Sequence, residues 1–259
     1  MKYALGVEYR GTGYCGWQRQ PHCDSVQQNL EQALSFVANH PVELACAGRT
    51  DSGVHALQQV AHFDSAASRS ERAWLMGANC RLPRDIRIRW VVPVADDFHA
   101  RFAARARAYR YLIYNVAVPS ALFHDLSAWE YHPLDHDNMH RCAQMLLGEH
   151  DFSSFRAVGC QAKSSSRQVQ QVSVLRQGDL IMLDIEANAF LYHMVRNIAG
   201  SLIAVGRGEM DIDEFARIFA ARDRNLAAPT APAAGLYFLY ASYDARYKLP
   251  TGCKKPVLF

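Results

Sequence analysis

The chain has 259 residues, half of them apolar, and a formal charge of +3, enough for one large core or two smaller ones. It contains no charge-free run of about 18 apolar residues, and its amino terminus, MKYALGVEYR, lacks the basic, apolar and small-residue order of a secretory leader, so a soluble, cytoplasmic protein is expected. Seven cysteines, Cys15, Cys23, Cys46, Cys80, Cys142, Cys160 and Cys253, form no CxxC pair, and their odd number argues against a closed disulfide framework, as suits a reducing cytosol.

In chain order, KYALGVEY (2–9) alternates like a strand, and Ser25 opens a helix with Gln28 three positions on. Val26, Leu30, Ala33, Leu34 and Val37 form the apolar stripe of that helix. VELACAG (42–48) and LQQVAHFD (57–64) read as strands, a weaker helix follows near 70–79, and RIRWVVPV (87–94) is rich in strand formers. The order is βαββαβ. The second half repeats it, with RAYRYLIYN (107–115) as a strand, HRCAQMLLG (140–148) in a helix, and RQVQQVSVLR and DLIMLDIEA as a hairpin around Gln177-Gly178. A long helix then covers FLYHMVRNIAGSLIAVG (190–206), a short one DEFARIFAA (213–221), and LYFLYASY (236–243) closes as a strand. The class expected is α+β, two ferredoxin-like halves over 1–104 and 105–259, a layout also used by RNA-recognition sheets. APTAPAAG (228–235) reads as a loop whose order the sequence leaves open.

Charge is uneven. HARFAARARAYR (99–110) holds Arg101, Arg105, Arg107 and Arg110 with no acid among them. AGRTDSGVHA (47–56) places Asp51 in a triplet, Asp51-Ser52-Gly53, suited to a tight turn. Yet apolar alternation stops near Cys46 and restarts near Leu57, a longer gap than the roughly 2–5 residues of a hairpin loop. A loop of small residues at a strand end, carrying two glycines, Arg49 and His55, is where a large ligand can approach backbone closely. A turn residue and a functional carboxylate are equally good readings of Asp51 from composition alone.

Six blocks decide between them: GWQRQP (16–21), AGRTDSGVHA, FHARFAARARAYRYLIYN (98–115), GCQAKSSSR (159–167), FLYHMVRNIAGSL (190–202) and TAPAAGLYFL (230–239). In this order they resemble successive signatures of the tRNA pseudouridine synthase A family, from one end of the chain to the other. The resemblance implies two ferredoxin-like subdomains joined into a mostly antiparallel sheet flanked by helices, with an RNA-binding cleft. It also implies a homodimer working on tRNA without metal or cofactor. The implied reaction isomerises uridine to pseudouridine at positions 38, 39 and 40 of the anticodon stem-loop. Asp51 matches the family's essential aspartate, which acts at the sugar C1′, at uracil C6 or by a route through a glycal, and all three remain open.

The other site residues follow from the same resemblance. Arg196, in HMVRN, matches the cation that keeps a sheltered carboxylate ionised. Its helix is so apolar that an arginine there either finds a partner or snorkels. Tyr109 matches the tyrosine that stacks on the target uracil and is a candidate for removing the C5 proton. Read alone, it is a strand aromatic sharing a face with Tyr111 and Ile113. Leu236 matches an apolar residue that packs against the base, and Arg49 matches the arginine implicated in extruding it. Arg19, Lys163, Arg167, Arg101, Arg105, Arg107 and Arg110 are candidates for the RNA backbone.

Other chemistry fits less well. His132, His136 and His140 are spaced four apart, but Pro133 keeps His132 outside a helix and Asp135 reads as its cap, which argues against a metal site. His55 and His193 lie in matched motifs as supporting or core residues. A glycoside hydrolase would need two cooperating carboxylates, and the signatures contribute only Asp51. The alternative from another class is a non-catalytic RNA-binding protein on the same fold. Ser52 departs from the alanine common at that position and adds a hydroxyl beside Asp51.

Overall fold

A computed structural model of the chain describes residues 1–250; Cys253 lies outside them. The chain divides into two compact units, Met1–Arg107 with the segment from Tyr237 onward, and Ala108–Leu236.

The first unit contains β1 (Lys2–Tyr9), α1 (Val26–Ala38), β2 (Ala45–Cys46), β3 (His55–Asp64), α2 (Glu71–Asn79) and β4 (Ile86–Val94), in the expected βαββαβ order. β1 is antiparallel to both β3 and β4, and β2 is antiparallel to β3. The central position of β1 between β3 and β4 goes with its unbroken run from Tyr3 to Val7, all of it buried, in place of the alternation a one-sided strand would show. Ser25 starts α1 by accepting a hydrogen bond from the Gln28 amide at 3.3 Å. Val26, Leu30, Ala33, Leu34 and Ala38 are its buried stripe, and Asn39, in the left-handed region at φ 58°, ends it. α2 is capped in the same way by Ser70, and its Trp74 is enclosed against Tyr3 and Phe63. The strand expected over 42–48 shortens to the two residues of β2.

The second unit contains β5 (Ala106–Asn115), which begins two residues before the unit boundary, then β6 (Ala128–Glu130), α3 (His136–Gln144), β7 (Gly148–Asp151), β8 (Ser166–Gln177), β9 (Leu180–Ala187), α4 (Met194–Gly206) and α5 (Ile212–Ala221). Its strands lie in the order β5-β9-β8-β7, with β6 parallel to β5. β8 and β9 form the expected hairpin, with Gln177 opposite Leu180. Asp135 caps α3 through the Asn138 amide at 2.9 Å. α4 starts four residues later than its hydrophobicity implies, because His193 adopts φ 58° and breaks the helical path before Met194.

One pairing goes beyond the expectation, and one expectation is corrected. The last strand, β10 (Leu236–Ser242), runs parallel to β3, with Tyr237 opposite His55 and Phe238 opposite Ala56. A parallel pair needs a long crossover, and here the whole intervening chain supplies it. The cysteines also do not all stand apart. The segment after Tyr14 doubles back, with the Cys15 amide donating to Asp24 O at 2.9 Å, and a disulfide joins Cys15 to Cys23 across a Cα separation of 6.1 Å.

Candidate active site

Asp51 is half-buried on the loop between β2 and β3. That loop is held at almost every residue. The Ala47 amide donates to Val60 O at 2.8 Å, and Gln59 Nε2 donates to Gly48 O at 2.6 Å. Tyr9 and Thr50 share a hydroxyl hydrogen bond of 2.7 Å, and the Trp17 amide donates to Thr50 O at 3.0 Å. The turn read from Asp51-Ser52-Gly53 is present as well: the Val54 amide donates to Asp51 O at 3.1 Å, and Gly53 takes φ +79°. Ser52 Oγ donates to Tyr14 O at 3.0 Å, so the departure from alanine adds a tie between the loop and the segment after β1. His55, a supporting residue as expected, is buried and accepts at Nδ1 from the Gly11 amide at 3.0 Å. This is the preorganised mounting that a reacting carboxylate needs.

The basic residues of this unit differ in what they hold. Arg49 and Arg101 are exposed, and both cations lie close enough to Cys46 to oppose the effect of burial, which still pushes that thiol up to about 12. Arg101 also sits over the Phe102 ring, 5.6 Å from its centroid. Arg19 pairs with Glu31 at 3.0 Å, and buried Glu31 also accepts from Gln27 Nε2 and the Leu44 amide. Arg105 pairs with Asp244. Arg107 directs its guanidinium at backbone carbonyls of Ala47, Ala104 and Arg101.

In the second unit Tyr109 is buried on β5, with its ring edge-on to Phe190 at 4.9 Å. Tyr111, two residues on, donates its hydroxyl to Pro232 O at 2.8 Å. Burial pushes the Tyr111 phenol well above its ordinary range, and the nearby Arg196 cation opposes that shift. Every residue of α4 except Arg196 is buried. Arg196 Nε donates to Ala231 O at 2.8 Å, and the Ala231 amide returns a bond to Arg196 O at 3.1 Å. The 228–235 loop is therefore fastened to α4 and carries Leu236, itself buried, at its end. The structure thus gathers Tyr109, Tyr111, Phe190, Arg196 and Leu236 in one unit. Arg110 is engaged elsewhere, bidentate to Asp184 at 2.7 and 2.8 Å across β5 and β9. Lys163 is exposed, whereas Arg167 is partly buried and donates to Ser164 O at 3.0 Å. His140 Nδ1 accepts from the Val174 amide, His132 meets Glu130, and no group of three or more His, Cys, Asp or Glu that could hold a metal occurs among the described residues.

A family model described as tRNA pseudouridine synthase matches residues 6–103 and 142–244. The chain belongs to that family. It is 56% identical over 247 residues to the tRNA pseudouridine synthase A of Hydrogenovibrio crunogenus, covering 95% of this chain and 94% of the relative. The enzyme of the same name from Glaesserella parasuis is 53% identical over 250 residues, covering 96% and 95%, and that of Photobacterium profundum 52% over 258 residues, covering 99% and 98%. The synthase is an isomerase of tRNA uridine, and the non-catalytic RNA-binding alternative falls away. Tyr9, Trp17 and Gln59, which fix the loop of the synthase, carry no individual signal of that role in the sequence. Trp17 lies in the GWQRQP signature, but Tyr9 and Gln59 sit in strands where alternation predicts only packing.

Proposed function

We propose that the synthase converts uridine to pseudouridine at positions 38, 39 and 40 of the tRNA anticodon stem-loop, with Asp51 as the nucleophile on an extruded base. The observation that carries this reading is the anchored loop: a half-buried carboxylate on a loop tied to β1 through the Thr50 hydroxyl and, through its backbone, to β3 and the segment around Trp17. In the reaction the N1–C1′ bond breaks, C5 bonds to C1′, the C5 proton leaves and N1 gains one. Attack by Asp51 at C1′ or at C6 starts this sequence, and elimination to a glycal is the third route. Arg196 is the cation we assign as partner to the Asp51 carboxylate. In this reading Tyr109, buried on β5, stacks on the uracil and is the candidate for removing the C5 proton, buried Leu236 packs on the base, and exposed Arg49 braces the gap the base leaves.

Among the basic residues, exposed Arg101 and Lys163 fit contact with RNA phosphate best, with Arg19, Arg105 and Arg167 joining at the margin. No helix among the described residues is long and apolar enough to cross a membrane, and the substrate places the enzyme in the cytoplasm, acting as a homodimer on the family pattern. The test is to incubate the purified chain with unmodified tRNA and map pseudouridine. Modification confined to positions 38–40 supports the reading, and modification only in another arm overturns it.

A further inference from the structure

We propose that Arg107 is a positioning residue for the loop that carries Asp51, and not a ligand of the RNA backbone. The inference rests on the reading of Asp51 as nucleophile. Nε and Nη2 of Arg107 both donate to Ala47 O, at 3.3 and 3.1 Å. Nη1 donates to Ala104 O at 3.2 Å, and Nη2 also reaches Arg101 O. One guanidinium therefore joins the first carbonyl of the loop to two carbonyls of the 101–104 turn. A planar fork of five donors serves these three acceptors from one side chain with donors fixed in direction.

The turn is itself a fixed post. The Ala100 amide donates to His62 Nδ1 at 3.2 Å, Tyr243 donates its hydroxyl to Ala100 O at 2.7 Å, and the Ala103 amide donates to His99 O at 2.9 Å. At the other end Ala47 is buried, its amide is bonded to Val60 O, and the next carbonyl, Gly48 O, is held by Gln59. Ala47 and Gly48, four and three residues before Asp51, thus each have the carbonyl held by a side chain, one by Arg107 and the other by Gln59. Removing the guanidinium leaves Ala47 O without these donors in a partly buried place, and the peptide must move to recover a partner. An RNA phosphate at Arg107 would compete with these carbonyls for the same donors.

The experiment uses the purified full chain and compares Arg107→Met, Arg107→Lys and Asp51→Ala by turnover on tRNA and by tRNA binding over a range of salt. A positioning role predicts that Arg107→Met lowers kcat by about tenfold or more, leaves KM and Kd within about twofold, and leaves the salt slope of binding unchanged. Arg107→Lys recovers part of the lost kcat, since three ammonium donors reach only some of the carbonyls. A phosphate contact predicts the opposite: kcat retained, Kd weakened and a slope smaller by about 1 in Arg107→Met, with Arg107→Lys close to the unaltered enzyme. That result overturns the assignment. If Arg107→Met gives no cooperative melting transition, Arg107→Lys decides alone, because a lowered kcat at unchanged salt slope supports positioning and an unchanged kcat refutes it. Asp51→Ala separates the two readings: activity there sinks the nucleophile, whereas an inactive Asp51→Ala beside fully active Arg107 variants sinks only the role of Arg107.

Discussion

Gly16→Ala tests the loop mounting with a single methyl group. Gly16 adopts φ +87°, and a Cβ there would lie 2.5 Å from Thr50 O, 2.9 Å from the Asp51 carbonyl carbon and 3.1 Å from the Ser52 amide nitrogen. All three obstacles are backbone of the Asp51 loop, so no rotamer change relieves them. Ordinary contact begins at 3.4 Å, and the Thr50 carbonyl must therefore retreat by roughly 1 Å, against its hydrogen bond from the Trp17 amide at 3.0 Å. The left-handed conformation costs about 1–2 kcal/mol for a residue with a side chain, and forcing an extra methyl into a packed place about 1–3 kcal/mol more. A misplacement of about 1 Å at a reacting group is worth on the order of 100-fold in rate. Turnover measured by tritium release from tRNA labelled at uridine C5, with thermal melting alongside, reads both effects. We expect kcat to fall by about 100-fold and Tm to fall by about 5 °C or more. Gly13→Ala is the control, because nothing lies within 4 Å of a Cβ at that position. If Gly16→Ala matches Gly13→Ala in both kcat and Tm, the account of a rigidly mounted loop is wrong.

Three other outcomes are expected. Burial, with His99 and the Lys2 cation nearby and outweighing the Ala45 carbonyl and Asp64, lowers the His62 pKa from 6.5 to about 4. The unfolded chain therefore takes up a proton that the folded one refuses, and stability is full above pH 6.5 and falls as pH drops towards 4, by up to about 3 kcal/mol; urea midpoints should decline across this window and flatten in His62→Gln. Burial raises the Cys160 thiol, but the amides of Tyr192 and Ala162 and the Arg156 cation outweigh it and hold the thiol below its ordinary value, whereas burial pushes Cys46 to about 12 and Cys142 to about 11. Among these three, brief alkylation followed by peptide mapping should label Cys160 first. Tyr109→Phe keeps the ring against Phe190 but loses the hydroxyl, so tRNA affinity should hold while kcat drops by about 100-fold or more if the phenol moves the C5 proton; an unchanged kcat removes Tyr109 from proton transfer and leaves it stacking.

The local rules of the chain were readable in the sequence, and the long-range ones were not. Ser25 and Asp135 announce their helices because a capping oxygen acts on an amide three residues away. β1, β3 and β4 are legible because covered strands select apolar strand formers over short runs. The pairing of β10 with β3 is not, since LYFLY is apolar enough for any sheet and pairing is settled far away in sequence. The Cys15–Cys23 link was hidden for a related reason: a separation of eight residues says nothing until the segment between is known to double back. The Asp51 loop stood out by its interruption of alternation, and the structure shows the turn reading to be correct without excluding the other. Arg107 and Arg110 were equal members of one basic run. Their acceptors distinguish them, Asp184 for one and three carbonyls for the other, and acceptors do not appear in a charge pattern.

The central claim concerns Asp51, and its most direct test is the Asp51→Ala enzyme, given tRNA labelled with tritium at uridine C5 and measured for release and for binding side by side. The account predicts no release above background over many turnovers of the unaltered enzyme, with tRNA bound within about twofold of normal affinity. Release at an undiminished rate from a correctly folded Asp51→Ala protein would contradict it.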